Sequence, residues 1–466
     1  MADFLTRITR QLAAVAPGAY FVGGCVRDCL RGMPLKDVDV VLPGDPWAVG
    51  QQVVLPMQSG SGRGALFWLR EEDRVARIVF PRAPGLQLDL APLRGSIQDD
   101  LRARDFTVNA LAIPVLAGLC PEAAVIDPLG GLADLRAGCL RFCAPEAPVA
   151  DPLRTLRAVR FKHQLGYQID PWTEWRVREC APLLGTASRE RVRDELFLLL
   201  ATDTAADGLA DLVSLGLWPG VAPDAPRPPL VADRPAPAAF LARFLAHVRQ
   251  AEEDPDIGPA VQDYVRQQYS APRSFAELLR WAAAEWSLVG GREGIVDVAL
   301  AHRIHRSLRL SAKEGEMMAR VLTGAAEALA LVRRWPVLPR ERYRLFRRAR
   351  DGGPGAVLLA ASREDHLAWG ALLAEALRRQ SQPAAPLVSG RDVMRLLNLK
   401  PGPWIGRLLE AVEEERADGR IATPEEARRW LREHGLALVP NAFGTAGAPN
   451  IEGEPYDRGS DGSDPD

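Results

Sequence analysis

Two aspartates separated by one residue are the feature of this sequence with the clearest chemical potential. Asp37 directly precedes the apolar segment VDVVL, which we predict to form a buried strand, and Asp39 lies within it. Side chains at positions i and i+2 point to the same face of a strand, so the two carboxylates should converge on one spot. Oxygen ligands suit Mg²⁺, and a pair of such ions can serve phosphoryl transfer. The alternative is that both aspartates are surface residues of a turn.

A third carboxylate would complete such a site from a neighbouring strand. Asp89 is the candidate, because it lies in the alternating segment LQLDLA between Leu88 and Leu90. Alternation with period two predicts a strand with one buried face. We therefore predict Asp37, Asp39 and Asp89 as the catalytic carboxylates, with the first two as ligands of two Mg²⁺ ions.

A glycine turn and an arginine come shortly before the paired aspartates. Gly23 and Gly24 interrupt the apolar strand AYFV, and CVRDCLRG follows as a predicted helix. Glycines allow a backbone to approach a ligand closely, and the N–H groups at a helix N-terminus attract anions. Arg27 lies on the first turn of this helix, within reach of a triphosphate. The arrangement predicts a phosphate-binding turn beside the carboxylates.

An acidic and a basic residue three positions apart suggest how a base could be chosen. Asp151 and Arg154 lie in DPLRTLRAVRF, which we predict to be a helix, where residues i and i+3 share a face. A carboxylate beside a planar guanidinium can match the hydrogen-bonding edge of C or A, whereas U and G present the opposite pattern. The alternative is a surface salt bridge. Arg157 and Arg160 continue the basic ridge, and Arg157 is expected near the nucleotide.

The elements that must position these residues change type along the chain. The first 140 residues alternate predicted strands and helices, whereas helical patterns dominate from Asp151 onward, so we predict an α+β protein. A Pro-rich stretch over 222–238 is typical of a linker or loop. A compact helical unit is predicted over about 391–434. The last 25 residues, rich in Gly, Pro, Ser and Asp, are predicted to be disordered.

Composition excludes some classes of protein and leaves others open. The 466 residues carry a net charge of −2, which by itself does not indicate nucleic-acid binding. No apolar run approaches the roughly 20 residues of a membrane span, so we predict no membrane partner. The six cysteines form no CxxC pair and no zinc pattern. We predict buried free thiols and a reducing, cytoplasmic location.

Taken together and in order, these motifs resemble those of class II tRNA nucleotidyltransferases (the CCA-adding family) and the related bacterial poly(A) polymerases. The matching segments are VGGCVRD with KDVDVV, DDLRARDFTVNALA at 99–112, VIDPLGGLADLRAG at 125–138, DPLRTLRAVRF at 151–161, RERVRDEL at 189–196 and SGRDVMRLLNLKPGPWIGRLLEAV at 389–412. The resemblance is dense over 19–200 and again over 387–435.

The resemblance implies a fold of several parts in a seahorse-like arrangement. A polymerase-beta-like nucleotidyltransferase head with a mixed sheet would be followed by an all-α neck, body and tail. The implied parts are the head at 1–140, the neck at 141–205, the body at 206–385, the tail at 386–440 and a disordered C-terminus at 441–466.

The resemblance also implies ligands and partners. Mg²⁺ would be held by Asp37 and Asp39, while Arg104, Asp105 and Asn109 would hold the ribose and triphosphate of the incoming nucleotide. That nucleotide would be CTP and, for a terminal A, ATP. The RNA substrate would be tRNA, contacted at its acceptor end and elbow by a monomer or a homodimer.

Contacts to the tRNA elbow are implied for the tail. Lys400 and Trp404 belong to the turn KPGPW before a predicted helix. The alternative for Trp404 is that it anchors the small core of the tail. The Arg-rich stretch at 340–350 could track the acceptor stem or could form a solvated helix face.

Two departures from the family pattern bear on the product. Ala150 replaces the Glu that usually precedes Asp151, and only 14 residues separate Asp89 from Arg104, where full CCA-adding members carry a longer flexible loop. The short connection resembles the CC-adding subtype, so we predict addition of C residues, with the terminal A left to a separate A-adding enzyme. The alternatives are full CCA addition, poly(A) synthesis and an inactive RNA-binding protein on the same scaffold.

Overall fold

The chain forms two compact units in the computed structural model. One unit comprises Met1–Trp335 with Arg348–Ser381, and the other comprises Pro336–Arg347 with Gln382–Asp466. The structure describes residues 2–35, 37–54, 64–81, 85–118, 120–231, 234–290, 295–382 and 384–439. The C-terminal segment predicted to be disordered lies outside the described residues. The division into head, neck, body and tail stays a prediction.

The N-terminal part of the first unit mixes strands and helices, as predicted. Its strands are β1 (Tyr20–Val22), β2 (Asp37–Leu42), β3 (Ala65–Arg70), β4 (Val75–Val79), β5 (Gln87–Pro92) and β6 (Ala112–Pro114). Its helices are α1 (Ala2–Val15), α2 (Gly24–Leu30), α3 (Pro46–Val54), α4 (Ile97–Arg102) and α5 (Gly131–Ala137).

In the described residues these strands form one mixed sheet in the order β3-β4-β5-β2-β1-β6. β2 and β5 run parallel, and the other neighbouring pairs are antiparallel. Parallel neighbours need a crossover connection, which α3 and the β3–β4 hairpin supply between β2 and β5. The crossover brings residues from distant parts of the chain to one sheet face.

Alternation along β2 divides apolar from acidic side chains. Val38 and Val40 are buried, and with Leu90 of β5 they belong to a core that also includes residues of α1 and α3. Asp37 and Asp39 therefore point to the opposite face, because successive side chains of a strand alternate. The apolar pattern thus fixes which face carries the carboxylates.

Helices with short two-stranded pairings follow. The next segment contains α6 (Ala147–Ala150), α7 (Leu153–Leu165), α8 (Pro171–Cys180), α9 (Arg189–Leu200), α10 (Ala205–Ser214) and α11 (Trp218–Val221), with β7 (Cys139–Leu140) pairing β8 (Gln168–Ile169). The helices predicted in DPLRTLRAVRF and RERVRDEL are confirmed as α7 and α9.

The remaining part of the first unit is also helical. It contains β9 (Leu230–Val231), β10 (Arg234–Pro235), α12 (Ala236–Glu252), α13 (Gly258–Arg266), β11 (Gln268–Ser270), β12 (Arg273–Ser274), α14 (Phe275–Val289), α15 (Val298–Ser307), α16 (Ala312–Val332), α17 (Pro339–Ala349), α18 (Gly353–Ala361) and α19 (Trp369–Ser381), of which α17 begins within the second unit. The Pro-rich stretch predicted as a linker contains β9 and β10, which pair as a small hairpin. No helix in the described part of the chain is long and apolar enough to cross a membrane.

The second unit is a small helical cluster. Its further helices are α20 (Gly390–Leu397), α21 (Pro403–Ala417) and α22 (Pro424–His434). Val393, Leu408 and Leu431 are fully buried and join the three helices in one core. The compact helical unit predicted from the sequence is therefore confirmed.

The prediction of free thiols is wrong for two of the six cysteines. Cys29 and Cys120 form a disulfide with Cα atoms 6.1 Å apart, within the range that a disulfide bridges. Ninety-one positions separate them in sequence, so spacing gave no sign of the pairing. Cys25 and Cys180 are buried free thiols, as predicted.

Candidate active site

The paired aspartates lie beside Asp89 on neighbouring parallel strands. β2 and β5 pair in a register that places Asp39 directly opposite Asp89. Asp37 is exposed, while Asp39 is half-buried. Burial raises the pKa of Asp39 to about 6, and the charges of Asp89 and Asp37 act in the same direction. This strand edge thus concentrates negative charge.

Asp89 differs from the other two carboxylates in its partner. Arg77 of β4 donates to both of its oxygens, each at 2.7 Å. Among the described residues, no group of three or more His, Cys, Asp or Glu side chains lies in an arrangement that could hold a metal ion. Arg77 was not predicted from the sequence, although Arg77 and Asp89 are both charged residues within apolar strands.

The glycine turn serves close packing. Gly23 has a φ of +75°, and a Cβ there would lie 2.8 Å from Nη1 of Arg104 and 3.5 Å from Oδ2 of Asp39. Its N–H donates to the carbonyl of Leu111 at 3.2 Å. A side chain at position 23 would therefore displace Arg104, and the close approach of this turn to a phosphate stays a prediction.

Arg27 is buried and already bonded at three nitrogens. Its Nη1 donates to Oδ1 of Asn109 at 2.6 Å, and Nε and Nη2 each donate to the carboxylate of Asp28 at 2.8 Å. Asn109 in turn donates to Oδ1 of Asp105 at 3.1 Å. The arginine predicted to reach a triphosphate is thus held in place by Asn109 and Asp28.

Asp105 continues this network towards the helix α7. Its Oδ1 also accepts from the N–H of Phe106 at 2.8 Å, and its Oδ2 lies 2.9 Å from Nη2 of Arg157. Burial alone would raise the pKa of Asp105, but Arg157, Asn109 and the N–H of Phe106 outweigh burial and lower it. Asp105 is therefore a buried, ionised carboxylate that fixes the direction of Arg157.

Glu195 of α9 anchors two arginines of α7. One oxygen lies 3.6 Å from Nε of Arg157, and the other accepts from Nε of Arg160. Arg160 also donates to Gln164 at 2.6 Å. Glu195 lies in the RERVRDEL segment, but sequence reasoning gave it no role, because the chain alone does not show which helix faces α7.

The structure corrects the placement of Asp151. It precedes α7 in an extended conformation (φ −143°, ψ 98°) instead of lying on the helix beside Arg154. The physical reason is Pro152, since a residue before proline is disfavoured in the helical region. Asp151 pairs with Arg191 of α9 at 2.7 Å. Asp151 and Arg154 therefore do not share one helix face, contrary to the prediction from the sequence for positions i and i+3.

Arg154 links α7 to the residues that follow α4, and the side chain of Arg104 bonds back to α4. Arg154 donates to the carbonyls of Ala103 at 2.7 Å and Arg104 at 3.2 Å. The Arg104 side chain donates to Oδ2 of Asp100 at 3.0 and 3.1 Å. Both arginines are thus bonded within the protein, and a bound nucleotide would have to compete for them.

The short connection between Asp89 and Arg104 is occupied by regular structure. Only residues 93–96 separate β5 from α4. Ser96 and Asp99 form a reciprocal capping box at the start of α4, which stabilises a helix N-terminus. Asp89 and Arg104 are therefore joined by a four-residue connection and an ordered helix.

One cavity of about 710 Å³ gathers most of the predicted site residues. Those lining it are Gly23, Gly24, Arg27, Asp37, Asp39, Arg104, Asp105, Asn109, Arg154, Arg157 and Arg160. Asp89 and Asp151 are not among the lining residues, since each is turned towards an arginine. These residues thus bring three carboxylates together with five arginines and one amide, a set suited to a metal-bound triphosphate.

The predicted tail residues lie in the second unit. Nε1 of Trp404 donates to the carbonyl of Lys400 at 3.3 Å, and the ring packs partly buried against the core of that unit. This favours an anchoring role for Trp404 over a free RNA contact.

The Arg-rich stretch at 340–350 is partly solvated, as one of its two predicted environments requires, and contact with an acceptor stem stays a prediction. Arg344 pairs with Glu414 at 2.5 Å, Arg340 pairs with Asp418 at 2.9 Å, and Arg347 pairs with Glu410. All three carboxylates belong to α21 or directly follow it. These arginines therefore join α17 to α21 within the second unit.

Three family models match parts of the chain. Residues 19–141 match the "Poly A polymerase head domain" and 382–429 match "tRNA nucleotidyltransferase domain 2". Residues 166–226 match a segment described as "Probable RNA and SrmB-binding site of polymerase A". The segment that matches the head domain contains Asp37 and Asp39, and also Arg27 and Arg104 of the cavity.

Curated relatives and solved structures extend this similarity to most of the chain. An A-adding tRNA nucleotidyltransferase of Deinococcus radiodurans is 34% identical over 90% of this chain and 96% of its own. A CC-adding tRNA nucleotidyltransferase of Geobacter sulfurreducens is 33% identical over 89% and 91%. The Thermotoga maritima CCA-adding enzyme complexed with tRNA shares the fold, with a TM-score of 0.62 and 20% identity over 94% and 95% of the two chains.

Proposed function

Because the chain belongs to the family of tRNA nucleotidyltransferases and bacterial poly(A) polymerases, and is a nucleotidyltransferase, we propose that it adds C residues from CTP to the 3′ end of tRNA. The observation that carries the proposal is the single cavity in which Asp37 and Asp39 face a wall of arginines. Phosphoryl transfer needs this pairing of carboxylates with cationic side chains.

Asp37 and Asp39 would hold Mg²⁺. Their donor set fits this ion, because both are carboxylates on one strand face and the charge of Asp39 is poorly compensated at this edge. When bound, two such ions supply activation of the attacking RNA hydroxyl and stabilisation of the leaving oxygen.

The arginine network would position the nucleotide. Arg27 and Arg157 are held by Asn109 and Asp105, so little side-chain entropy remains to be lost when a triphosphate binds. Arg104 can leave Asp100 for a phosphate, since both partners are only partly buried. These arginines would thus hold the triphosphate in the cavity that Asp37 and Asp39 also line.

Base selection by Asp151 and Arg154 would require both side chains to change partners. We expect Arg154→Ala to lower the preference for CTP over UTP by about 10- to 100-fold, because one good bidentate pair is worth about 1–3 kcal/mol of discrimination. Single-nucleotide incorporation with each triphosphate in turn measures the ratio. Arg178→Ala, at an arginine of the neighbouring helix α8 bonded to Ser214, is the control and should leave the ratio unchanged.

The proposed product ends after two C residues. The ordered four-residue connection before α4 supports CC addition, since a long flexible loop is missing between the described residues 89 and 104. The similarity to the A-adding relative favours addition of A alone as the second candidate. Full CCA addition and poly(A) synthesis would give longer products.

A primer-extension assay tests the proposal. Transcripts ending before the CCA, after the first C and after the second C are offered CTP and ATP separately. Addition of two C residues to the first transcript and no A to the third is expected. A single A on the third transcript alone would replace CC addition by A addition, and a growing A tail would indicate a poly(A) polymerase.

The remaining partners follow from the proposed substrate. The enzyme would act in the cytoplasm as a monomer or homodimer, with a separate A-adding enzyme acting after it. The location rests on tRNA as substrate, because the disulfide removes the argument from free thiols.

A further inference from the structure

We propose that Arg77 is a positioning residue that withholds Asp89 from the metal centre and so sets how many divalent ions the resting enzyme binds. The inference rests on the proposed function, because it concerns the ligands of the same centre. It goes further in assigning Arg77 a role in that centre.

A cross-strand row of the sheet carries the argument. Register places Asp39 of β2 opposite Asp89 of β5, and Asp89 opposite Arg77 of β4. Directly opposed residues project from the same face of a sheet. Phe67 of β3 follows Arg77 in the row, so Asp89 is the polar neighbour that register offers to Arg77.

The contact between Arg77 and Asp89 occupies both carboxylate oxygens. Nε and Nη2 form two bonds of 2.7 Å in the bidentate geometry that is the strongest for this pair. The side chains are 25% and 15% exposed, so water weakens the contact less than at a free surface. An oxygen held in this way is directed at a guanidinium and not at a shared ion.

Arg77 thereby separates the three carboxylates into two sets. Asp37 and Asp39 face the cavity, whereas Asp89 does not line it. In the resting enzyme, Asp37 and Asp39 then form a single metal site. A second metal site forms only when Asp89 leaves Arg77. Loading of the second ion would follow arrival of the substrates.

Titration of the full chain with Mn²⁺, followed by electron paramagnetic resonance of the free ion, tests the proposal without any nucleotide or RNA. The wild type should bind one Mn²⁺ per chain and Arg77→Gln should bind two, with the first ion about tenfold tighter after loss of one nearby positive charge. Adding Asp89→Asn to the Arg77→Gln variant should return the number to one.

Two further variants separate geometry from charge and from misfolding. Arg77→Lys keeps the charge but can hold only one oxygen well, so it should also bind two ions. Arg74→Gln removes a positive charge that pairs with Asp45 on the adjoining turn, and should leave the number at one.

The outcomes distinguish this inference from the proposed function. If the wild type binds Mn²⁺ and both Arg77 variants keep its single ion, the role of Arg77 is overturned while the centre stands. If neither the wild type nor the Arg77 variants bind Mn²⁺, the centre itself fails. Two ions in Arg77→Lys support the inference even where Arg77→Gln does not fold.

Discussion

Asp39→Asn should lower the rate of CMP transfer to tRNA by about 1,000-fold or more, the scale on which loss of one group that stabilises transition-state charge reduces catalysis. Asp39 lines the cavity with Asp37 and lies opposite Asp89. Asn at this position would therefore remove a carboxylate that any metal ion bound there would need. Single-turnover extension under saturating CTP measures the chemical step. Affinity for tRNA, measured by filter binding, should stay within about twofold.

The same substitution should stabilise the fold in the absence of metal. The pKa of Asp39 is raised from 3.8 to about 6, and each pKa unit corresponds to about 1.4 kcal/mol. The ionised carboxylate therefore costs about 2 to 3 kcal/mol at pH 7 in EDTA, and this cost disappears as the pH falls below 3.8. Urea unfolding at several pH values measures the difference from wild type.

A matched exposed carboxylate serves as the control for Asp39. Asp45 follows β2 on the surface and pairs with Arg74, so Asp45→Asn should leave the transfer rate unchanged. Substantial CMP transfer by Asp39→Asn would contradict the assignment of this carboxylate. An enzyme in which even the wild type transfers nothing would support an inactive RNA-binding protein.

Asp105→Ala should destabilise the protein by about 2 to 4 kcal/mol at pH 7, since removing one member of a buried charge pair leaves Arg157 with only its longer contact of 3.6 Å to Glu195. Asp105 is buried, whereas Arg157 is about one-third exposed, which places the effect below that of a fully buried pair. The KM for CTP should also rise, because Arg157 and Asn109 lose the carboxylate that orients them. Urea unfolding and steady-state kinetics measure the two effects.

The stability effect of Asp105→Ala has a defined pH dependence. The folded-state pKa of Asp105 is lowered by Arg157 and by hydrogen bonds in spite of burial. Its contribution is therefore fully present above the unfolded pKa of about 3.9 and is lost as the pH falls through the folded value. The deficit of Asp105→Ala should shrink below about pH 4. Glu72→Ala, in the exposed β3–β4 turn, should stay within about 0.5 kcal/mol of the wild-type stability.

Local patterns were sufficient for the elements that carry the site. Alternation around Asp39 and Asp89 predicted two strands with carboxylates on one face, and periodicity predicted α7 and α9. These features depend on residues a few positions apart, because side-chain direction repeats every two residues in a strand and every 3.6 in a helix.

Partners that are distant in sequence were decided by the tertiary structure. Arg27 and Asn109 are 82 positions apart, and Asp151 and Arg191 are 40 apart. Arg77 is only 12 positions from Asp89, but their contact depends on how β4 pairs with β5. No local period encodes such pairings.

The sequence by itself therefore determined the class of chemistry, through two carboxylates on a strand and the motifs around them. The tertiary structure decided which charges are free to perform it. Asp37 and Asp39 face the cavity, while Asp89 and Asp151 are held by arginines from neighbouring elements. The physical reason is that a charged side chain pairs with whichever opposite charge packing brings within about 3 Å, and packing is a property of the whole fold.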